Sequence, residues 1–548
     1  MLAAVRREPA VALLALGAAA GIAFTLLYPL SQVLAEAVVG PSGFDVAPLA
    51  RIVSQPVPQT TIRDTLVLGV TTALASTLLG FAVALATARA TSGALRGLIH
   101  YSALLPLIAP PFALALATIF LFGRQGLISK GLFGLELTPY GFSGLVFVQT
   151  VTFFPVAYLM FDALLEQLDP ALEEAAYNLG ASRAQILRTV TIPLLRPGFA
   201  GAFLIIFVEA LADLGNPLII GGDYNVLASS TYLAIVGEYD TRKAVAFAVV
   251  LIAPSIVAYF GQRLWVGERS VVTVTGRPST GAVRSLEATL RVPLVALGLV
   301  VTALVLLLYA TIFMGAFTRL LGIDNTVTFD NYLYVFRIGG RAMTDTTLLS
   351  AIAAPLAAIA GLLVAYLVVR TRLPGRALFD YLTMLGAAAP GIVLGLGVLL
   401  AFNHRPLLLS GTAVIFVIAF VIRTAPVALR TSVAALLQLD PAIEHASANL
   451  GAGAVYTFRR VTLPLVARSV VSTTLFSFAR NMTTLSTIAL LVTPNWRIMT
   501  SQILNEIDAQ RLGSGAAYSS ILIVIVFTVI VVLQRLFRGP RAVTEVST

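Results

Sequence analysis

The sequence predicts an all-α integral membrane protein with about twelve transmembrane helices, laid out as two homologous six-helix halves. Three observations lead there. Of the 548 residues, 58% are hydrophobic and only 11% are charged, which leaves too little polar surface to cover a water-soluble domain. The apolar residues fall in runs of about 20, the length of a helix crossing a ~30 Å hydrocarbon core, and they lack the alternating segments of an outer-membrane barrel. Finally, a stretch in the first half of the chain recurs in the second.

The spans lie near 10–36, 62–88, 101–122, 143–163, 198–219 and 244–262, then near 292–316, 346–369, 380–402, 412–432, 469–492 and 516–535. The first follows Arg6 and Arg7 and reads as a retained helix, because its apolar run outlasts the h-region of a signal peptide. A polar stretch, 263–291, separates the sets as a cytoplasmic linker, giving 1–262 as the first half and 292–548 as the second. Charge orients the layout. With the N-terminus inside, 22 of the 36 Lys and Arg residues fall in inner loops and tails and 12 in outer loops, with Arg423 and Arg480 inside spans. That bias puts both termini in the cytoplasm. The net charge of +10 is then a topology signal rather than a sign of nucleic-acid binding. The chain has no cysteine and three scattered histidines, His100, His404 and His445; thiolate chemistry and a histidine-rich metal site are not expected.

Residues 167–194 and 438–465 match without gaps at an offset of 271, with 16 of 28 positions identical, and Pro155 and Pro426 extend the match. A weaker match at an offset of 281 pairs Asp64, Thr65, Gly80, Ala84 and Arg89 with Asp345, Thr346, Gly361, Ala365 and Arg370. Six spans per half is an even number, so both halves share one orientation, and a pseudo-two-fold axis along the membrane normal is expected.

The local chemistry of the repeat is legible. Asp169-Pro170 and Asp440-Pro441 supply an N-cap and an N1 proline. Glu173, Glu174 and Glu444 lie in the first turn, where a carboxylate suits the helix dipole. Gly180 and Gly451 end the short helix in the C′ role. A second short helix follows, up to Pro193 or Pro464. Each half thus presents a polar helix–turn–helix on the inner face. Interfacial helices left over from duplication are the bland explanation, but identity concentrates in this loop rather than in the spans. A docking surface for two copies of a cytosolic partner explains that better.

Glu174-Ala175-Ala176, then Gly180, then Val190-x-Ile192-Pro193 resembles the EAA loop of binding-protein-dependent ABC importer permeases. The second copy reads His445-Ala446-Ser447, Gly451, Val461-x-Leu463-Pro464, with His445 where the motif glutamate is expected and Glu444 before it. The resemblance implies a type I, MetI-like permease fold. It implies that Glu173, Glu174, Ala175 and Gly180, with Glu444, His445, Ala446 and Gly451, form coupling helices seated on a homodimeric cytoplasmic ATPase. It also implies a periplasmic or lipid-anchored substrate-binding protein, a multi-pass location in the bacterial or archaeal cytoplasmic membrane, and no cofactor in this chain, ATP and Mg being bound by the ATPase. The lysines support a separate motor: Lys130 and Lys243, the only two, follow Ser129 and Arg242, so no P-loop is present.

Ionisable groups inside spans mark pathways or partners. Glu209 and Asp213 are an i,i+4 pair in the fifth span, with Asn216 beyond them; the 271 offset carries Glu209 onto Arg480, next to Asn481. These five residues are the expected gate, with Glu209 and Arg480 meeting between the halves. Asp223, Glu238 and Asp240 read as a solvated outer loop. The fused form, the 122–126 segment Phe-Gly-Arg-Gln-Gly, Leu214-Gly215-Asn216-Pro217 and Phe402-Asn403 resemble the ferric-iron permease branch, whose relatives take 2-aminoethylphosphonate, phosphorylated sugars or thiamine. Ferric iron is the first expectation for cargo and an organophosphonate, phosphorylated sugar or thiamine the next. The rival class is a twelve-helix ion-coupled secondary transporter, which needs no duplicated cytoplasmic loop.

Overall fold

The computed structural model describes residues 9–40, 43–266, 288–371 and 373–537. Most of the expected linker, 267–287, lies outside the described residues, as do Arg6, Arg7, Arg538 and Arg541. Among the described residues the chain is almost wholly helical, apart from two short antiparallel hairpins, Val39–Gly40 with Gly43–Phe44 and Thr318–Leu320 with Asp324–Val327. Among the described residues, nine helices are long and apolar enough to cross a bilayer, or up to twelve if each of three bent pairs is one span.

The bent pairs refine the expected spans. The span near 101–122 is Gly93–Leu107 followed by Pro111–Phe122, turned through 106°, and the span near 380–402 is Arg376–Ala388 followed by Gly391–Phe402, turned through the same angle. At the bends Pro110 and Pro390 carry ψ of 134° and 143°. Proline has no amide hydrogen to continue a helix and disfavours α geometry in the residue before it, so apolar composition runs on where helix geometry cannot. The span near 198–219 breaks at Asp213, between Arg196–Ala212 and Gly215–Ile220. The span near 469–492 stops as a helix at Thr483, and residues 486–491 form turns.

The described chain forms two compact units, which we name by the repeat glutamate each holds. The Glu173 unit comprises Val39–Arg337 and Ile503–Ser520; the Glu444 unit comprises Met1–Val38, Ile338–Gln502 and Ile521–Thr548. In lipid, helices associate chiefly by close packing at small residues, and both units use the same contact. A Cβ on Gly80 would come within 2.5 Å of the Ala157 methyl and 2.7 Å of the Phe154 carbonyl; on Gly361 it would come within 2.5 Å of Ala428 and 2.6 Å of the Leu429 amide. Pro56–Arg89 therefore crosses Phe142–Gln167 at a glycine, and Asp330–Arg370 crosses Ala413–Leu437 at its repeat partner. Thr65 and Thr346 repeat a second device: each hydroxyl accepts from the start of a short helix, at the Leu227 amide (2.8 Å) and the Met499 amide (2.9 Å).

The units cut across the sequence halves. Helix Pro9–Val38 packs in the Glu444 unit, where Phe24 and Tyr28 meet the Phe402 ring at 5.1 and 5.8 Å between centroids. Helix Ala288–Ala316 packs in the Glu173 unit: the Tyr309 hydroxyl donates to the Leu105 carbonyl, and Gly315 abuts the Phe120 ring.

Candidate functional site

The two repeat loops fold as the capping residues dictate. Asp169 accepts from the Ala171 amide at 3.0 Å and opens helix Pro170–Asn178; Asp440 accepts from the Ala442 amide at 2.8 Å and opens Pro441–Asn449. Both helices end in a left-handed glycine, Gly180 at φ +87° and Gly451 at φ +86°. The Gly180 amide donates to the Tyr177 carbonyl and the Ala181 amide to the Ala176 carbonyl; Gly451 and Ala452 repeat the pair onto Ala448 and Ser447. This is the Schellman arrangement, which only a residue tolerant of positive φ closes without strain. The following turn differs. Ser182 and Gln185 form a reciprocal capping box in the first copy, whereas Gly453 stands at that place in the second.

An ion pair anchors each helix–turn–helix, which we call a knob, to the end of a long helix earlier in the chain, Pro56–Arg89 or Asp330–Arg370. Arg89 donates to Glu173 at 2.7 Å, and Thr191 donates to the same carboxylate oxygen at 3.0 Å. In the second copy the Arg370 guanidinium lies 3.3 Å from Glu444, and Thr462 donates to Glu444 at 2.6 Å. Arg370 also donates to the Leu436 and Leu439 carbonyls. Both arginines are nearly buried, so each knob is clamped by a charged group shielded from water, where such a bond is strengthened. Beyond the clamp, each knob turns apolar surface outward. Leu179 is 88% exposed and Leu450, its repeat partner, 89%.

Inside the Glu173 unit a buried polar chain crosses three helical elements. Thr72 donates to Gln149 at 2.9 Å, Gln149 donates to Asp213 at 2.9 Å, and the Asn216 side-chain amide donates to Asp213 at 2.7 Å. All four residues are buried. At the break between Arg196–Ala212 and Gly215–Ile220, Asp213 thus ties the start of the second helix to the Gln149 side chain of Phe142–Gln167. Among the described residues the Asn216 Oδ1 has no hydrogen-bond partner. The repeat offsets carry these positions onto Ala353, Phe420, Thr484 and Thr487, and in the Glu444 unit Ala353 and Phe420 belong to an apolar cluster with Leu26, Phe402 and Ile488. The polar chain is therefore a feature of one half.

Residues 76–268 and 353–541 each match the family described as binding-protein-dependent transport system inner membrane component. The chain belongs to this family. It is 35% identical over 521 residues to the ferric transport system permease protein FbpB of Actinobacillus pleuropneumoniae, covering 93% of this chain and 76% of that protein. It is 35% identical over 489 residues to the putative ferric transport system permease protein FbpB 1 of Haemophilus influenzae, covering 87% and 77%. The molybdenum transport system permease protein ModB of Mycobacterium tuberculosis is 30% identical over 214 residues, 37% of this chain and 81% of its own. The protein is thus an inner-membrane permease with two fused halves, as the repeat predicts.

Within the permease, the expected coupling residues divide by surroundings. Glu173 and Glu444 turn to their arginines, while Ala175, Gly180, His445, Ala446 and Gly451 are exposed and Glu174 is half-buried. The second loop keeps the clamp through Glu444 and changes only the next position, Glu174 becoming His445. Of the expected gate, Asp213 and Asn216 come together, Glu209 is half-buried in the Glu173 unit, and Arg480 and Asn481 lie near the end of helix Ala454–Thr483 in the Glu444 unit. Glu238 pairs with Lys243 at 2.6 Å, and Asp240 accepts from the Lys243 amide; all three are exposed or half-buried. Sequence reasoning missed Leu179 and Leu450, though both are identical in the repeat, and missed Thr72 and Gln149, which carry no charge. Among the described residues no cluster of three or more His, Asp and Glu suits a metal ion.

Proposed function

We propose that this permease couples its translocation pathway to a separate homodimeric ATPase through the two knobs, and that its cargo is ferric iron handed over by a binding protein outside. The observation that carries the coupling is the pairing of an exposed leucine with a buried clamp in both copies. Leu179 and Leu450, nearly fully exposed at matched positions, supply apolar contact area for a partner. The Arg89–Glu173 and Arg370–Glu444 pairs tie that area to the ends of the two long helices, Pro56–Arg89 and Asp330–Arg370. Closure of an ATPase dimer would pull the knobs together, and the clamps would pass the displacement to those helices rather than let the loops yield. Glu174 and His445, at matched positions, then meet the two ATPase copies with different chemistry.

The cargo assignment rests on the two relatives named for ferric transport, which align along most of this chain. The ModB likeness covers only 37% of this chain and carries less weight for the cargo. The start of helix Pro9–Val38 and the second knob line one cleft, which supports an N-terminus on the knob face; twelve crossings return the C-terminus there. Asp213, held by Gln149 and Asn216, fixes the break in the fifth span rather than carrying cargo.

The test is uptake by proteoliposomes that contain the permease and its ATPase, with ATP inside and iron-loaded binding protein outside. Ferric iron entry that needs both is expected. Uptake driven by a proton or sodium gradient with no ATPase present would replace this proposal with a secondary transporter.

A further inference from the structure

Two clefts follow one another along the same side of helix Pro9–Val38 within the Glu444 unit. The first, of about 980 Å³, opens at the helix start and is lined by Pro9, Ala10, Arg370, His445, Arg459 and Arg460. Arg370 is taken up by Glu444 and two carbonyls. Arg459 and Arg460 are exposed, and no carboxylate lies within ion-pair distance of either among the described residues. The repeat offset carries Arg459, Arg460 and His445 onto Arg188, Thr189 and Glu174, so the adjacent pair of arginines belongs to the second half alone.

The second cleft, of about 430 Å³, begins at Leu13, one turn further along, and runs to Leu26. Gly17 and Gly21 form its floor, and a Cβ on either would meet nothing within 4 Å. Val364 and Ile422 form the facing wall. Its one buried polar group is Thr383, whose hydroxyl has no hydrogen-bond partner among the described residues. At 1.5 Å per residue the run from Leu13 to Leu26 is roughly 20 Å, comparable with one leaflet of a ~30 Å core.

We propose that the two clefts together hold one anionic phospholipid, with its phosphate at Arg459 and Arg460 and an acyl chain along the Gly17–Gly21 face. A free anion would leave the apolar cleft unexplained, and a neutral lipid would leave the paired arginines unexplained. Basic pockets between helices at a cytoplasmic surface are suited to anionic head groups. The lipid touches the loop that carries the second knob and not the first, so it sets the position of one coupling element. The choice of leaflet and the coupling role of the second loop rest on the proposed function; the site itself does not.

Native mass spectrometry of the full-length permease, purified in mild detergent with phosphatidylglycerol added, tests the site. The wild type should retain one phosphatidylglycerol in preference to phosphatidylcholine. R459Q/R460Q should lower retention about tenfold or more, the order expected for two basic residues near an anionic surface. G17L/G21L should lower it too, by filling the apolar cleft, and the milder G17A/G21A guards against misfolding. Unchanged retention in either the arginine or the leucine variant would overturn the site. Loss in the arginine variant alone, with millimolar inorganic phosphate competing fully, would make it a free-anion site and overturn the lipid. Unchanged retention with weakened ATPase co-purification would assign the arginines to an acidic protein surface and overturn it equally. Lipid retention does not depend on uptake, so its failure is distinguishable from failure of the transport function.

Discussion

Arg89 and Glu173 stand 84 positions apart in the chain and meet at 2.7 Å, where the end of one membrane helix holds the loop that follows another. The same joint recurs as Arg370 with Glu444. Removing one partner leaves a charge shielded from water without its counter-ion, which costs about 3 kcal/mol in buried pairs. E173Q and E444Q should each lower the thermal midpoint of the purified permease and reduce its stimulation of the ATPase. The swap R89E/E173R should recover part of the midpoint. Midpoints equal to wild type in both single variants would show that the joint carries no strain.

Leu179 and Leu450 predict a different pattern. Both are nearly fully exposed, so L179S and L450S should leave the midpoint unchanged. Burial of a leucine at an interface contributes about 2 kcal/mol, so each substitution should weaken ATPase binding between tenfold and a hundredfold. Surface plasmon resonance against the immobilised ATPase would measure this, and affinity unchanged in both variants would remove the knobs from the docking surface.

Gly80 and Gly361 are helix crossings with no room for a methyl group. G80A and G361A should destabilise by about 1–3 kcal/mol, the usual cost of overpacking, although alanine favours a helix more than glycine does. Stabilisation in either variant, read by thermal unfolding in detergent, would show that the crossing relaxes freely.

Gln149 joins Thr72 to Asp213, and Q149L removes both bonds at once. A buried carboxylate losing one of its donors should cost about 1–3 kcal/mol, with lower uptake and an unchanged affinity for the ATPase. The matched position in the other half is already apolar, Phe420, so F420L should affect stability through packing alone and leave the dependence on Asp213 intact.

Asp45, in the segment after the first hairpin, pairs with Arg242 at 2.7 Å. The Ala47 amide and then the Arg242 guanidinium hold its carboxyl below the usual 3.8. A lowered folded value contributes stability that is complete above the ordinary carboxylate range and is lost as pH falls through the lowered one. Thermal midpoints of wild type and R242A should therefore differ by a constant amount at neutral pH and converge in acid. A difference that persists at the acid extreme would assign the effect to packing.

Much of this was readable in advance because capping is local chemistry. Asp169 before Pro170, and Gly180 ten residues after the helix starts, leave little choice of backbone. The repeat did the same for Gly80 and Gly361, although their role as crossings emerged only with Ala157 and Ala428 in place. What stayed hidden was long-range or uncharged. The bends at Pro110 and Pro390 sit inside unbroken apolar runs, and composition does not distinguish a straight helix from two at 106°. Glu173 looked like an outward contact because its partner, Arg89, belongs to a different match with a different offset. Gln149 and Thr72 carry no charge to draw attention within a span. Nor does an apolar helix announce its neighbours: Pro9–Val38 and Ala288–Ala316 give no sign of the units in which they pack.

The placement of those two helices has a consequence for biosynthesis. Domains usually consolidate in the order in which they emerge from the ribosome. Here Pro9–Val38 is made long before its neighbour and finds Phe402 only after several hundred further residues have been made. The nascent first half must wait as well, lacking the helix that seals Leu105 and Phe120 until Ala288–Ala316 arrives. Translation arrested between the halves would therefore strand a half-built body with an orphaned leading helix, a natural substrate for membrane quality control.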